Sequence, residues 1–273
     1  MKPHPVNKLK HVVRGFFLLL IVSCLPLDNP VYAQPNNLLP FFDNINNPVP
    51  VGFPRGQQLD ITPPAPQLNS FDQAVLRTCG PFGSRVTPKQ FQQLMSAYPN
   101  VFQRLQQVSG GELIPGRRTT AQFLEDLTNI WFKRRAFTHI FCGEIYNARD
   151  IGGLHFYGRY LELQTAGIGG RLPNNSSREQ VIPGVIYTLG VQIKQGNRTI
   201  VDNIKGYDYL SSAEEILLSA TAAFKAQGNT EGACVYNLRD RETGTSVPTI
   251  FVRQNNAIVT FYPDATPRGR RCK

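Results

Sequence analysis

The hydrophobic period of the chain changes near residue 136, and this change constrains the fold more than any other feature. Between residues 71 and 135 apolar side chains recur three or four positions apart, as in helices that bury one face. The pattern predicts a short helix, a second one opened by Thr87 and split by Pro99, and a third capped by Thr119 or Thr120. Such stripes are typical of a core and not of a ligand site.

After residue 136 the helical period gives way to short apolar runs bounded by turn residues, which is typical of strands. We expect two inserted helices, one over 155–164 and one capped by Ser211 or Ser212 that runs to about Phe224. The expected strands cover 137–142, 182–193, 199–204, 233–238, 249–253 and 257–262. The predicted fold class is α+β, with antiparallel sheets and flanking helices preceded by a helical region.

The first 33 residues have the features of a signal peptide. Lysines and an arginine precede an apolar run at 16–25, and the small-residue motif at 31–33 predicts cleavage after Ala33. In a rival interpretation, residues 21–24 form a lipoprotein box that lipidates Cys24. Both interpretations predict a secreted or periplasmic protein without stable membrane insertion.

Segments of biased composition flank the expected domains. Residues 34–70 contain eight prolines and no sustained apolar period, so we interpret them as a linker or tail whose apolar patch at 38–42 could dock elsewhere. Residues 265–273 form a basic tail. The whole chain carries a net charge of +10, of which the first 33 residues supply +3. The remaining positive charge favours a polyanionic partner such as nucleic acid, anionic lipid or acidic polysaccharide.

Four cysteines remain after cleavage at either site: Cys79, Cys142, Cys234 and Cys272. An even number in an exported chain suggests up to two disulfides, with three possible pairings that the sequence leaves open. Their spacing does not suggest a zinc site.

Two histidines lie beyond the signal peptide, and both are close to glycines. His139 precedes Gly143, and His155 follows Gly152 and Gly153. Because an unperturbed imidazole has a pKa of ~6.5, two of them could form an acid–base pair near neutrality, although two unrelated structural histidines are an equal alternative. Phosphate-binding loops, GxSxG elbows and HExxH motifs are absent from the sequence. Two histidines in a basic chain suggest metal-free RNA cleavage, in which the 2′-OH attacks the adjacent phosphorus.

Four motifs in order resemble one family. They are His139-Ile140-x-x-Gly143-Glu144, Gly152-Gly153-x-His155, Lys205-Gly206-Tyr207-Asp208-Tyr209-Leu210 before a capped helix, and Ile258-Val259-Thr260-Phe261-Tyr262-Pro263. Together they resemble the catalytic core of the EndoU-type endoribonucleases, in a bacterial, secreted member. The resemblance covers roughly residues 136–264, which would be the catalytic domain, with residues 71–135 as a helical accessory region.

The resemblance implies a role for each motif residue. His139 and His155 would be the acid–base pair; in the family the first is usually taken as the base, but the sequence does not determine the order. Lys205 would stabilise phosphoryl charge. Thr260 would bind a pyrimidine edge, and Tyr262 would stack on the base. The implied activity is cleavage of single-stranded RNA at uridine, leaving 2′,3′-cyclic phosphate and 5′-OH ends.

Several alternatives stay open. Lys194, beside the expected hairpin turn, is the second candidate for the catalytic lysine. Glu144 either supports a histidine or is a surface turn residue. No cofactor is expected to be required, although some relatives depend on manganese. A non-catalytic secreted module that binds RNA or another polyanion is the alternative function, and an inhibitor or immunity protein as partner is left open.

Overall fold

The computed structural model describes Met1 and residues 38–147 and 149–273. The predicted signal peptide, including Cys24 and the cleavage site after Ala33, lies outside the described residues. Within the part that is described, no helix is both long and apolar enough to span a bilayer.

The helices start where local capping groups satisfy their first backbone N–H groups. They are α1 (Ser70–Cys79), α2 (Pro88–Ala97), α3 (Pro99–Val108), α4 (Thr120–Phe132), α5 (Tyr157–Thr165) and α6 (Ala213–Ala226). Capping boxes are formed by Asn69, Thr87, Thr119 and Ser212. Pro99 occupies the first turn of α3, where a missing N–H costs nothing, so it separates α2 from α3 as predicted.

Within the described residues, the strands form two larger antiparallel sheets and two small two-stranded ones. They are β1 (Val49–Pro50), β2 (Gln58–Leu59), β3 (Glu144–Tyr146), β4 (Asp150–Gly152), β5 (Gly169–Arg171), β6 (Gln180–Ile182), β7 (Ile186–Gln195), β8 (Arg198–Asp208), β9 (Gly232–Arg239), β10 (Ser246–Gln254) and β11 (Ala257–Pro263). In one sheet β7 pairs with β5, β6 and β8, and in the other β10 lies between β9 and β11. The α+β class is therefore confirmed, and the predicted hairpins are present.

The strand predicted over 137–142 is wrong, because these residues form a π-helix, Thr138–Cys142. The backbone N–H of Gly143 donates to the carbonyl of Thr138, five residues earlier. Most of this segment is buried, including Ile140 and Phe141. A segment this short and mostly buried has no clear period that separates a strand from a helix.

Residues 38–70 are not a free linker, because their apolar side chains belong to the core. Phe41, Phe42 and Ile61 are buried. The side-chain amide of Gln164, on α5, accepts from the N–H groups of Phe41 and Phe42 and donates to the carbonyl of Phe42. Helices α1–α4 contribute to the same core, so residues 38–273 pack as one unit.

Two disulfides settle the cysteine pairing that the sequence left open. Cys79 at the end of α1 is bonded to Cys142 at the end of the π-helix, and Cys234 on β9 is bonded to Cys272. The second bond attaches the basic C-terminal tail to the sheet, while the basic side chains at 268–271 stay exposed. The first bond, together with the burial of its two cysteines, holds the π-helix against α1.

Candidate active site

A cleft of about 410 Å³ opens where the π-helix, β4, β8 and β11 meet. It is lined by His139, Tyr146, Ile151, Gly152, Gly153, His155, Gln180, Thr188, Ile204, Lys205, Gly206, Thr260, Tyr262, Pro263 and Asp264. All five predicted site residues are among them. Lys194, the second lysine candidate, is not; it lies near the β7–β8 turn and pairs with Thr199.

His139 is held by a carboxylate. Its Nδ1 lies 3.3 Å from Oε2 of Glu144, which is buried at the start of β3. The same carboxylate accepts from the hydroxyl of Tyr146 and lies 2.5 Å from the guanidinium of Arg135. Burial alone would raise the pKa of Glu144, but the hydrogen bonds from His139 and Tyr146 and the charge of Arg135 outweigh it and lower this pKa. Glu144 is therefore an ionised acceptor, and His139 turns Nδ1 towards it.

His155 is held by backbone groups. Its own N–H donates to the carbonyl of Ile140, and the neighbouring N–H of Leu154 donates to the carbonyl of His139, each at 2.8 Å. Its Nδ1 lies 3.1 Å from the carbonyl oxygen of Gly206, which can only accept, so Nδ1 carries the proton. Burial, His139 and Lys205 lower the pKa of His155 to about 3, so the ring is neutral near neutrality.

Glycine is required where the two histidine segments touch. Gly153 has a φ of +62°, and a Cβ there would lie 1.8 Å from the carbonyl oxygen of His139. At Gly152 a Cβ would lie 2.0 Å from the ring of Tyr146. These two residues let the backbone before His155 approach the π-helix closely enough for the hydrogen bonds above.

The aromatic rings of the site are in contact. The imidazoles of His139 and His155 have centroids 5.6 Å apart, and the ring of Tyr262 lies 5.4 Å from that of His155. Each imidazole uses Nδ1 for its anchor, which leaves Nε2 available for proton transfer. This arrangement can move two protons at one phosphodiester.

Lys205 and Thr260 bring polar groups to the same cleft. The Nζ of Lys205 lies 2.6 Å from a carboxylate oxygen of Asp202, and its side chain is 14% exposed. The Oγ1 of Thr260 is buried and makes no hydrogen bond with the described residues. A buried hydroxyl in this state is costly unless a ligand satisfies it. Burial, with a contribution from Asp264, raises the pKa of the nearby Tyr262, so its hydroxyl stays protonated near neutrality.

Residues 133–265 match the family of bacterial EndoU nucleases. The match covers 133 of the 273 residues, and it supports an RNA endonuclease.

Other comparisons are more distant. XendoU, described as a splicing-independent snoRNA-processing endoribonuclease, is similar with a TM-score of 0.47 and 18% identity, over 71% of this chain and 75% of that one. The endoribonuclease Nsp15 of Middle East Respiratory Syndrome coronavirus is similar with a TM-score of 0.33 and 15% identity, over 51% of this chain and 37% of that one. No curated protein matches the sequence.

The candidate site contains two residues besides the five predicted ones. Arg135 and Tyr146 both bind the carboxylate of Glu144. Arg135 lies four positions before His139, which is a helical spacing. Because a strand was predicted over 137–142, this spacing gave no reason to place the two side chains together. Tyr146 lies two positions after Glu144, on the same face of β3. Across the described part of the chain, no group of three or more His, Cys, Asp or Glu side chains is arranged to hold a metal ion.

Proposed function

We propose that the protein is an endoribonuclease that cuts single-stranded RNA on the 3′ side of uridine. The 2′-OH attacks the adjacent phosphorus and gives a 2′,3′-cyclic phosphate and a 5′-OH. The observation that carries this proposal is the pair of imidazoles 5.6 Å apart, each anchored through Nδ1. Each proton-transfer group in such a reaction typically contributes about 10²–10⁴-fold to the rate.

We assign the base to His155 and the acid to His139, an order that the sequence left open. His155 is neutral because its pKa is lowered to about 3, and its Nε2 carries the lone pair that can accept the 2′ proton. His139 bonds a carboxylate through Nδ1, so the imidazolium keeps a partner while Nε2 gives its proton to the 5′ oxygen. Glu144 takes part in neither of these two proton transfers, so it is a positioning residue.

Lys205 is proposed to stabilise the negative charge that grows on the phosphoryl oxygens. Its Nζ is held by Asp202 within the cleft lining, so the ammonium needs little reorganisation when substrate arrives. Lys205→Ala is expected to lower kcat about 10²-fold or more. Lys194→Ala is the matched control, because that lysine lies outside the cleft lining and should leave kcat within twofold.

Recognition of uridine is assigned to Thr260 and Tyr262. The unpaired Oγ1 of Thr260 can both donate to and accept from a base edge, which suits the neighbouring polar groups of uracil. The ring of Tyr262 offers a stacking surface worth about 1–3 kcal/mol. Thr260→Val keeps the shape of the side chain and removes the hydroxyl, and is expected to reduce the preference for uridine over cytidine while cleavage continues.

We propose that no metal is required and that the protein acts outside the cytoplasm. In the proposed reaction both proton transfers and the charge stabilisation are carried out by side chains of the chain itself. Two disulfides fit an oxidising compartment, as expected of an exported protein.

The test uses the purified protein and a labelled single-stranded RNA that contains one uridine, with EDTA present. We expect one cut after the uridine, with ends identified by mass as cyclic phosphate and 5′-OH. His139→Ala and His155→Ala should each fall below about a tenth of the wild-type rate while circular dichroism shows an intact fold. Cleavage only with added manganese would overturn the metal proposal, and RNA binding without cleavage would favour the polyanion-binding alternative.

A further inference from the structure

The rim of the cleft exposes apolar surface that the proposed chemistry does not use. Tyr146 is 40% exposed and Ile204 is 56% exposed, and both side chains line the cleft. Exposed aromatic and aliphatic groups beside a reaction centre favour contact with an apolar part of a ligand. In an RNA strand that part is the face of a nucleobase.

The ring of Tyr146 is held at two points. Its hydroxyl donates to Oε2 of Glu144, and its edge packs against the backbone of Gly152, where a Cβ would lie 2.0 Å from Cε2. An aromatic ring that is fixed before binding loses little conformational entropy when a base stacks on it. The ring of Tyr146 is therefore a preorganised stacking surface, unlike that of a freely rotating surface tyrosine.

Two tyrosines flank the histidine pair in a continuous series of contacts. Tyr262 packs against His155, and His155 lies 5.6 Å from His139. His139 is joined to Tyr146 through their shared partner, Oε2 of Glu144. Tyr262 thus lies on the His155 side of the pair and Tyr146 on the His139 side.

We propose that Tyr146 binds the nucleobase on the 3′ side of the cut, as a second base subsite. The inference rests on the proposed function, in which a phosphodiester lies at the two imidazoles with one nucleoside on each side. The uridine that supplies the 2′-OH takes the side of Tyr262 and His155. The departing nucleoside, whose 5′ oxygen receives a proton from His139, then places its base at Tyr146. Stacking accepts every base because each has a π-face, and purines offer the larger surface.

The test compares two small substrates that share the uridine and the scissile phosphate. In one, uridine is joined to adenosine; in the other, it is joined to an abasic ribose. The wild-type protein should cleave the adenosine substrate with a kcat/KM about 5- to 150-fold higher, the range expected for one stacked base. The ratio of the two kcat/KM values is the readout, because changes in the chemical step or in the fold affect both substrates alike.

Three variants assign this ratio to a residue. Tyr146→Ala should reduce it to about one, whereas Tyr146→Phe, which keeps the ring and loses only the bond to Glu144, should retain it. Tyr262→Ala is the matched control and should lower both rates by a similar factor, leaving the ratio as in wild type. A purely structural role for Tyr146 would lower both rates in Tyr146→Ala and would not change the ratio.

Failure of this inference and failure of the proposed function give different results. Cleavage of both substrates at equal rates by the wild-type protein would refute the subsite and leave the uridine-specific activity intact. A ratio that persists in Tyr146→Ala would also refute it, since the base would then be held elsewhere. If neither substrate is cleaved, and the single-uridine RNA is not cleaved either, the proposed function and the subsite are both wrong.

Discussion

Replacing Gly153 with alanine tests whether the two histidine segments are held together as described. The new Cβ would lie 1.8 Å from the carbonyl oxygen of His139, and Cβ atoms essentially never come closer than 3.0 Å to another heavy atom. Because the obstructing group is backbone, one segment must move by about 1 Å. That movement strains two hydrogen bonds, from Leu154 to His139 and from His155 to Ile140.

The magnitude follows from two contributions. A non-glycine residue at positive φ costs about 1–2 kcal/mol. Each hydrogen bond that is lost costs about 0.5–1.5 kcal/mol. Gly153→Ala should therefore lower the free energy of unfolding by about 2–5 kcal/mol, or the Tm by about 6–15 °C at roughly 3 °C per kcal/mol for a domain of this size. A displacement of about 1 Å between catalytic groups can also cost about 10²-fold in rate.

Gly196→Ala is the matched control. Gly196 has a φ of +57°, close to that of Gly153, but a Cβ there would meet nothing within 4 Å. Gly196→Ala should lower the free energy of unfolding only by the cost of a non-glycine residue at positive φ, about 1–2 kcal/mol, and it should keep full activity. Thermal unfolding by circular dichroism and cleavage of the single-uridine RNA measure the two effects. Equal Tm values for the two variants, with Gly153→Ala cleaving at more than about a tenth of the wild-type rate, would refute the reasoning.

Four more measurements test the site and the two disulfides. Because His155, as the proposed base, must be neutral and its pKa is lowered to about 3, kcat/KM should show no acidic limb between pH 7 and about 5; an acidic limb near pH 6 would contradict the assignment. Since the unfolded chain takes up this proton first, at about pH 6.5, the free energy of unfolding should also decrease as the pH falls from about 6.5 towards 3, as measured by urea titration. Glu144→Gln should lower kcat about 10²-fold with little change in KM, because His139 loses its ionised anchor, and an unchanged kcat would exclude a positioning role. Cys142→Ser and Cys234→Ser should each lower the free energy of unfolding by about 2–5 kcal/mol. Only Cys142→Ser should also reduce the cleavage rate when activity is assayed well below the Tm of each variant, where both proteins are folded.

Much of the secondary structure was predictable because its causes are local. Thr87, Thr119 and Ser212 cap their helices through hydrogen bonds to residues three positions away, which a sequence shows directly. The strands near the C-terminus pair around a tight turn, so their order and register follow from a few adjacent residues. By contrast, the π-helix was mistaken for a strand because tertiary packing of its buried side chains, and not a local pattern, determines its conformation.

The sequence by itself determined the α+β class, the helix starts and five of the residues that line the cleft, because caps, turns and motifs depend on residues close together in the chain. Only the tertiary structure decided the pairing of Cys79 with Cys142, 63 positions away, and the burial of the N-terminal segment over residues 38–70. It also decided which nitrogen of each imidazole is anchored. The Nδ1 atom of His155 bonds the carbonyl of Gly206, 51 positions further along, and no local pattern specifies such a contact. Long-range contacts of this kind form only when the whole core packs, since many segments must be ordered at once to bring two distant groups within hydrogen-bond distance.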